Sequence, residues 1–140
     1  MKVIVIYFSR TGNTKSMAEA ISKSTKATAY DIASCDPKVV EDFDMLILGT
    51  PVEGFRPSRE ILTFIEQMPK ADGKKAIVFC TYAIWKRSTL KTMANRLAKK
   101  GYETILSISK KRVKPNKTDF SDILDQITKT IENSSQAHTQ

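Results

Sequence analysis

Four short runs rich in apolar residues divide this chain at intervals, and segments with helical periodicity follow most of them. The runs cover residues 3–8, 45–48, 76–80 and 104–108. The first three runs are typical of strands buried on both faces of a sheet, and the last, which includes Thr104 and Ser107, predicts a final strand. A half-polar segment at residues 28–33 predicts an edge strand, and a loop at residues 33–42 replaces the helix that would follow it. Pro57 and Ser58 are expected to open the second helix, because proline lacks the N–H that a helix start leaves unbonded.

The resulting order β-α-β-β-α-β-α-β-α predicts an α/β fold. We expect a doubly wound three-layer sandwich with a five-stranded parallel sheet of order 2-1-3-4-5. In such a sheet a ligand binds beyond the carboxyl ends of the strands, where the strand order reverses. Three loops should meet there, at residues 9–14, 50–56 and 81–87.

The chain of 140 residues suits a single domain, which we place at residues 1–132, followed by a disordered polar tail at 133–140. Its longest strictly apolar run has six residues, far fewer than the roughly 20 that a membrane-spanning helix needs, so neither secretion nor membrane insertion is expected. Cys35 and Cys80 are the only cysteines, which favours a reducing, cytoplasmic location. The single histidine, His138, lies in the tail, which disfavours a histidine-based catalytic triad or metal centre.

The first loop combines hydroxyl side chains, an amide and a glycine between a buried strand and a helix start. Free N–H groups and a partial positive charge at a helix N-terminus favour phosphate binding. Gly12 allows close approach of the backbone, and the hydroxyls of Ser9, Thr11 and Thr14 can donate hydrogen bonds to a phosphate. One helix cap would need only one such hydroxyl. The composition of this loop therefore predicts a phosphate site.

Residues 9–14 read Ser-Arg-Thr-Gly-Asn-Thr, which resembles the (Ser/Thr)-x-Thr-Gly-x-Thr loop of flavodoxins, and the element order is similar over about residues 2–132. The resemblance to short-chain flavodoxins implies a flavodoxin-like fold and a non-covalently held FMN. Its phosphate would bind Ser9, Thr11, Gly12, Asn13 and Thr14. Arg10 stands at the variable position, where it either reinforces the site or only flanks it.

The resemblance also implies that the other two loops contact the flavin ring. In the second loop it points to Thr50, Pro51, Val52, Glu53, Gly54 and Phe55, with the Glu53–Gly54 peptide expected to turn its carbonyl toward N5 of the partly reduced ring. This loop lacks the tryptophan common in the family, so Val52 or Phe55 would cover that face of the ring. In the third loop it points to Thr81, Tyr82, Ala83 and Trp85, with Tyr82 the first choice as the stacking ring and Trp85 the second. The Gly-Cys-Gly-Asp type of loop found in many flavodoxins is missing.

Positive charge is concentrated in the second half of the chain, and the net charge is +8. Residues 74–117 contain thirteen basic residues and one acid, Glu103. Many flavodoxins are strongly acidic, so the redox partner implied here is a protein with an acidic docking surface, which such a field would steer. A solvated basic face is the simpler alternative. No RNA-binding aromatic motif accompanies the charge, so nucleic acid is a disfavoured partner.

We therefore expect an electron-transfer protein more than a stand-alone enzyme, with the flavin carrying the redox chemistry. An FMN-dependent NAD(P)H or quinone reductase, a detached flavin domain of a larger enzyme, and a basic binding module without flavin stay open. Four other sites lack their residues. No Gly-x-Gly follows the first strand, Phe55 and Arg56 stand where a P-loop needs Lys and Ser/Thr, Gly49 replaces a receiver aspartate, and Lys86 stands where a phosphatase loop would place arginine after Cys80.

Overall fold

The computed structural model describes residues 1–112 and 119–138. In chain order its elements are β1 (Val3–Tyr7), α1 (Asn13–Thr25), β2 (Thr28–Asp31), β3 (Met45–Glu53), β4 (Arg56–Pro57), α2 (Arg59–Gln67), β5 (Lys74–Tyr82), α3 (Thr89–Lys99), β6 (Tyr102–Lys111) and α4 (Ser121–His138). Two 3₁₀ turns, Ile32–Ser34 and Pro37–Asp42, occupy the loop expected between β2 and β3.

The sheet has the predicted topology with one addition. Five strands run parallel in the order β2-β1-β3-β5-β6, which confirms the expected α/β three-layer architecture. The additional strand is β4, which the sequence did not predict. It pairs antiparallel with the end of β3, so part of the expected 50–56 loop is a hairpin. The strand order reverses between β1 and β3, which places the crevice for a ligand between the loops that follow them.

Helices cover both faces of the sheet, and each face has its own core. Apolar side chains of α2 and α3, such as Ile61 and Leu97, pack against one face, and those of α1 and α4, such as Ile21 and Ile127, pack against the other. The central strands β1, β3 and β5 are mostly buried, as their continuous apolar runs indicated, whereas β2 and β6 at the edges of the sheet are partly exposed. Gly49 interrupts the run in β3 because the ring of Phe79 on β5 lies where a Cβ at that position would be.

Some boundaries differ from those expected. Pro57 does not open the second helix: it lies in β4, and Ser58 is the N-cap, accepting a hydrogen bond from the Glu60 N–H. Helix α4 continues beyond residue 132 to His138, so residues 133–138 of the expected tail are helical. Residues 139–140 of that tail and residues 113–117 of the basic segment lie outside the described part of the chain. Within the described ranges, no helix combines the length and the apolar character needed to cross a bilayer.

Candidate functional site

The carboxyl ends of the three central strands bring the three loops named from the sequence to one edge of the sheet. Tyr7 at the end of β1 is in register with Gly49 on β3, and Thr50 is in register with Cys80 on β5. The loops that leave these positions are residues 8–12 before α1, the β3–β4 hairpin, and residues 83–88 before α3. Parallel pairing therefore places the candidate phosphate loop beside the two candidate ring loops.

Ser9 organises the backbone of the first loop. Its Oγ accepts hydrogen bonds from the N–H groups of Gly12 and Lys15, each at 3.1 Å. Gly12 immediately precedes α1 with a φ of 98°, a left-handed conformation that favours glycine. A hydroxyl oxygen accepts two hydrogen bonds and donates one. Both acceptor positions of Ser9 are thus in use, and its proton is left to donate away from the loop.

Thr11 has the same arrangement. Its Oγ1 accepts from Asn13 Nδ2 at 3.1 Å and from Arg112 Nη1 at 3.3 Å. With both lone pairs engaged, this exposed hydroxyl also offers only its proton to a ligand. Ser9 and Thr11 therefore both present hydrogen-bond donors next to the start of α1, a 13-residue helix. The helix N-terminus adds a partial positive charge, so the loop suits an anion.

Thr14, the third hydroxyl named from the sequence, occupies a different place. It is buried, and its Oγ1 lies 2.8 Å from the Oγ1 of Thr81, which is buried near the end of β5. One of the two hydroxyls donates to the other, so this pair ties the first turn of α1 to the third loop. The structure brings Thr14 and Thr81 together beneath the surface rather than at it.

The second loop is a tight hairpin. Glu53 pairs with Arg56, and the two residues between them, Gly54 and Phe55, have φ values of 58° and 65°. Two consecutive positive φ angles are typical of a type I′ turn, the two-residue connection that matches the twist of paired strands. Val52, half-buried, pairs with Pro57 on β4. Phe55 is exposed at the tip of this turn. Gly54 is also at the surface, and no atom outside its chain neighbours lies within 4 Å of the position that a Cβ there would take.

The base of the hairpin is fixed by buried groups. Thr50 is fully buried, and its Oγ1 accepts from the Ser58 N–H at 2.9 Å and donates to the Pro51 carbonyl at 2.9 Å. Pro51 is also buried. The side chains of Thr50 and Pro51 therefore support the hairpin and the start of α2, whereas Val52, Glu53, Gly54 and Phe55 stand further out.

Arg10 joins the first loop to the second. Its Nε contacts Glu53 Oε2 at 2.5 Å, and its Nη2 contacts Glu60 Oε2 at 2.8 Å. The hydrogen bond with Glu53 raises the pKa of Arg10. The hydrogen bond from Ser58 and then the Arg10 charge lower the pKa of Glu60. Arg10 thus holds Glu53, and with it the hairpin, against the first loop, and two carboxylates already balance its charge.

Two exposed aromatic rings meet where the second and third loops approach each other. The rings of Phe55 and Trp85 are tilted by 38° with centroids 5.8 Å apart, and these residues are 47% and 58% exposed. The Arg87 guanidinium lies 5.4 Å from the Phe55 centroid and 5.7 Å from that of Trp85. Exposed apolar rings gathered at one point are typical of a surface that covers a ligand or a partner.

Tyr82, our first choice as the stacking ring, is half-buried at the end of β5, where its carbonyl accepts the Arg112 N–H at 2.7 Å. Ala83 is exposed in the turn that follows. Tyr82 and Trp85 both line a shallow cavity of about 540 Å³, together with Ile84, Lys86 and Arg87. The ring adjacent to Phe55 is Trp85 rather than Tyr82.

Arg112 is the residue at this edge that the sequence did not single out. It follows β6, lies 101 positions from Thr11, and donates to the Thr11 hydroxyl. It was visible only as one of many basic residues in the second half. No local motif marks it, because its position depends on where β6 ends in the sheet.

Cys80 does not provide a nucleophile. Burial raises the pKa of its thiol to about 12, the opposite of the lowered pKa that a reactive cysteine needs. Cys80 is also fully buried, so the phosphatase alternative lacks an accessible thiol of lowered pKa as well as its arginine.

Comparison with known proteins agrees with this geometry. The family model of the flavodoxin domain matches residues 4–108, from β1 into β6. The chain belongs to the flavodoxin family. A flavodoxin of Megasphaera elsdenii is 32% identical over 108 residues, covering 66% of this chain and 79% of that protein. The solved structure of the two-electron reduced flavodoxin of that organism superposes with a TM-score of 0.72, covering 83% of this chain and 90% of the other, at 23% identity.

Two further solved structures share the fold. The rubredoxin:oxygen oxidoreductase of Desulfovibrio gigas superposes with a TM-score of 0.82 at 19% identity; 97% of this chain matches 36% of that longer chain. A flavoprotein of Lactobacillus acidophilus in complex with FMN gives a TM-score of 0.63 at 19% identity, with 87% of this chain and 95% of the other covered. The flavodoxin fold thus occurs among these neighbours both as most of a chain and as part of a longer one.

Proposed function

We propose that this protein is an electron carrier that holds FMN non-covalently at the carboxyl edge of its sheet and passes electrons to a partner protein. Membership of the flavodoxin family makes FMN the cofactor. The main support for this choice of residues comes from the hydroxyls of Ser9 and Thr11. Each oxygen already accepts two hydrogen bonds, so each hydroxyl can only donate its proton to a ligand. Such a pair suits the phosphate of FMN, an anion with only acceptor oxygens.

The residues around that loop fit the rest of the cofactor. Ser9, Thr11, Gly12 and Asn13 would hold the phosphate, while the buried Thr14–Thr81 pair keeps the helix start in place below it. Arg10 would position the hairpin by holding Glu53, so that the Glu53–Gly54 peptide stays beside the ring. Phe55 and Trp85 would cover the ring and exclude water from it, with Tyr82 and Ala83 at its border.

When bound, the isoalloxazine ring of FMN accepts and releases one or two electrons, and the protein tunes this chemistry through its contacts. Apolar coverage by Phe55 and Trp85 lowers the local dielectric, which makes negative charge on the ring less favourable. Positive charge nearby, from Lys86 and Arg87 on the third loop, opposes this effect. The balance between these contributions sets the potential at which the protein works.

We further propose that the carrier works in the cytoplasm and docks to a protein with an acidic surface. The basic residues next to the exposed rings support the docking role: Arg87 contacts both rings, and Lys86 lines the same cavity as Trp85. Electrons transfer efficiently when a partner approaches the exposed edge of the ring, and charges at that edge steer the partner into place.

The experiment is a flavin titration of the purified protein, followed by its visible spectrum, with FMN and riboflavin as ligands. We expect wild type to retain flavin bands with FMN. Thr11→Ala should weaken FMN binding about tenfold or more and leave riboflavin binding unchanged, because a hydrogen bond to a charged group contributes roughly 1.5–3 kcal/mol and only FMN has the phosphate.

Ser16→Ala, an exposed hydroxyl on α1, is the matched control and should bind both ligands as wild type does. Equal losses for FMN and riboflavin in Thr11→Ala would refute the phosphate assignment. A wild-type protein that cannot be loaded with flavin would refute the carrier function. Turnover of quinone with NAD(P)H and no second protein would show a reductase instead.

A further inference from the structure

Two arginines reach the phosphate loop, and the structure distinguishes them by what balances their charge. Arg10 is held by Glu53 and Glu60. Arg112 is absent from all six ion pairs formed within residues 1–112 and 119–138. Its guanidinium instead contacts a neutral hydroxyl, that of Thr11. Of the two cations at this loop, Arg112 is the one whose charge no described carboxylate balances.

The backbone holds Arg112 in this position. Its N–H donates to the Tyr82 carbonyl at 2.7 Å, which extends the β5–β6 pairing by one residue beyond Tyr82 and Lys111. From the end of β6 the side chain reaches back across the carboxyl edge to the start of α1. A residue anchored at its backbone loses less conformational freedom when its side chain binds a ligand.

The Nε of Arg112 is buried and has no hydrogen-bond partner among the described residues. A buried N–H of a charged group without an acceptor is destabilising, and such groups in folded proteins usually find a partner. Arg112 thus has a positive charge that no described carboxylate balances and an Nε–H without an acceptor among the described residues. It also contacts Thr11, whose hydroxyl proton is available to a ligand.

We propose that Arg112 binds the phosphate of FMN and compensates its negative charge. This inference rests on the proposed flavin site and assigns a cation to it that the loop motif does not contain. Thr11 donates its hydroxyl proton to the phosphate, and the guanidinium, already against Thr11, donates alongside it. Guanidinium groups suit phosphate because their donors are fixed in one plane and match its oxygens. Arg112 therefore selects FMN over riboflavin.

The test uses the full-length protein as wild type, Arg112→Gln, Arg112→Lys and Lys111→Gln. Lys111 is the matched control, since it is the preceding residue, is exposed and carries the same charge. We expect Arg112→Gln to weaken FMN binding about 10- to 100-fold, the range of a charge-assisted hydrogen bond, and to leave riboflavin binding unchanged. Arg112→Lys should recover part of the affinity, and Lys111→Gln should stay within about twofold of wild type.

Two further measurements separate this inference from the flavin function itself. The FMN affinity of wild type should fall as salt is raised, and that of Arg112→Gln should fall less, because one cation fewer faces the phosphate. Calorimetric titration of flavin-free protein with inorganic phosphate should show weaker binding for Arg112→Gln than for Lys111→Gln. If wild type binds FMN and Arg112→Gln gives the same results in all these measurements, the role of Arg112 is refuted and the carrier function stands. Wild type that binds inorganic phosphate but no flavin would overturn the carrier function and leave Arg112 as an anion contact.

Discussion

The buried contact between Thr14 and Thr81 allows a quantitative test of how the site is supported. The two hydroxyl oxygens lie 2.8 Å apart in side chains that are 1% and 3% exposed. Among the described residues, each hydroxyl has the other as its hydrogen-bond partner. Replacing Thr14 by Val keeps the shape of the side chain but leaves the Thr81 hydroxyl buried and alone.

A buried hydroxyl that loses its partner destabilises a protein by roughly 1–3 kcal/mol, whereas replacing both partners by apolar groups of the same shape can be nearly neutral. We expect Thr14→Val and Thr81→Val each to lower the free energy of unfolding by about 1–3 kcal/mol. The double variant should lose much less than the sum of the two, giving a coupling energy of about 1 kcal/mol or more.

Urea unfolding of the flavin-free protein, followed by circular dichroism, measures the free energy of unfolding of the four proteins in this double-mutant cycle: wild type, the two single variants and the double variant. Ser22→Ala, which removes a half-buried hydroxyl elsewhere on α1, should add to Thr81→Val without coupling, because Ser22 donates to the Ala27 carbonyl at the other end of the helix. Additive losses in the Thr14–Thr81 cycle would refute the interpretation that the two hydroxyls bond each other. The double variant should still bind FMN, since the phosphate donors Ser9 and Thr11 are untouched.

Two other predictions concern pH and salt. Burial raises the pKa of Cys80 from 9.0 to about 12, so between these values the folded protein holds a proton that the unfolded chain has lost. The free energy of unfolding should therefore fall as pH rises through this range, by up to about 1.4 kcal/mol per pH unit from this thiol. Cys80→Ala should show a shallower fall in urea unfolding series at several pH values, and an equal slope would contradict the raised pKa. Electron transfer to an acidic partner should slow steeply with added salt, and Arg87→Gln should reduce that dependence. A rate that salt leaves unchanged would exclude the proposed docking.

Sequence patterns predicted the parts of this molecule that depend on neighbouring residues. The apolar runs of β1, β3 and β5 indicated buried parallel strands because both faces of such strands need apolar side chains. The first loop was recognisable because its hydroxyls, glycine and helix start are contiguous. In both cases the physical requirement falls on consecutive residues, and the sequence displays it directly.

Contacts between residues far apart in the sequence could not be predicted in this way. The loop pattern places Thr14 among the phosphate donors, but its hydroxyl contacts that of Thr81, 67 positions away, and Arg112 contacts Thr11 across 101 positions. The hairpin was also missed, because a type I′ turn usually has Asn, Asp or Gly at its centre and this one has Gly54 followed by Phe55. Phe55 adopts a backbone conformation that is uncommon for a bulky residue, which places its ring beside Trp85.

The basic residues in the second half of the chain occupy different environments on the fold. Lys75, Arg96 and Lys110 pair with Glu103, Glu66 and Asp122, so part of the positive charge is balanced locally. Of the remaining charge at the carboxyl edge, Arg112 turns inward to the phosphate loop, and Arg87 lies over the exposed rings. A phosphate that neutralises Arg112 leaves Arg87 as a charge that a partner meets. Under the proposed function, cofactor retention and partner steering would rest on different arginines.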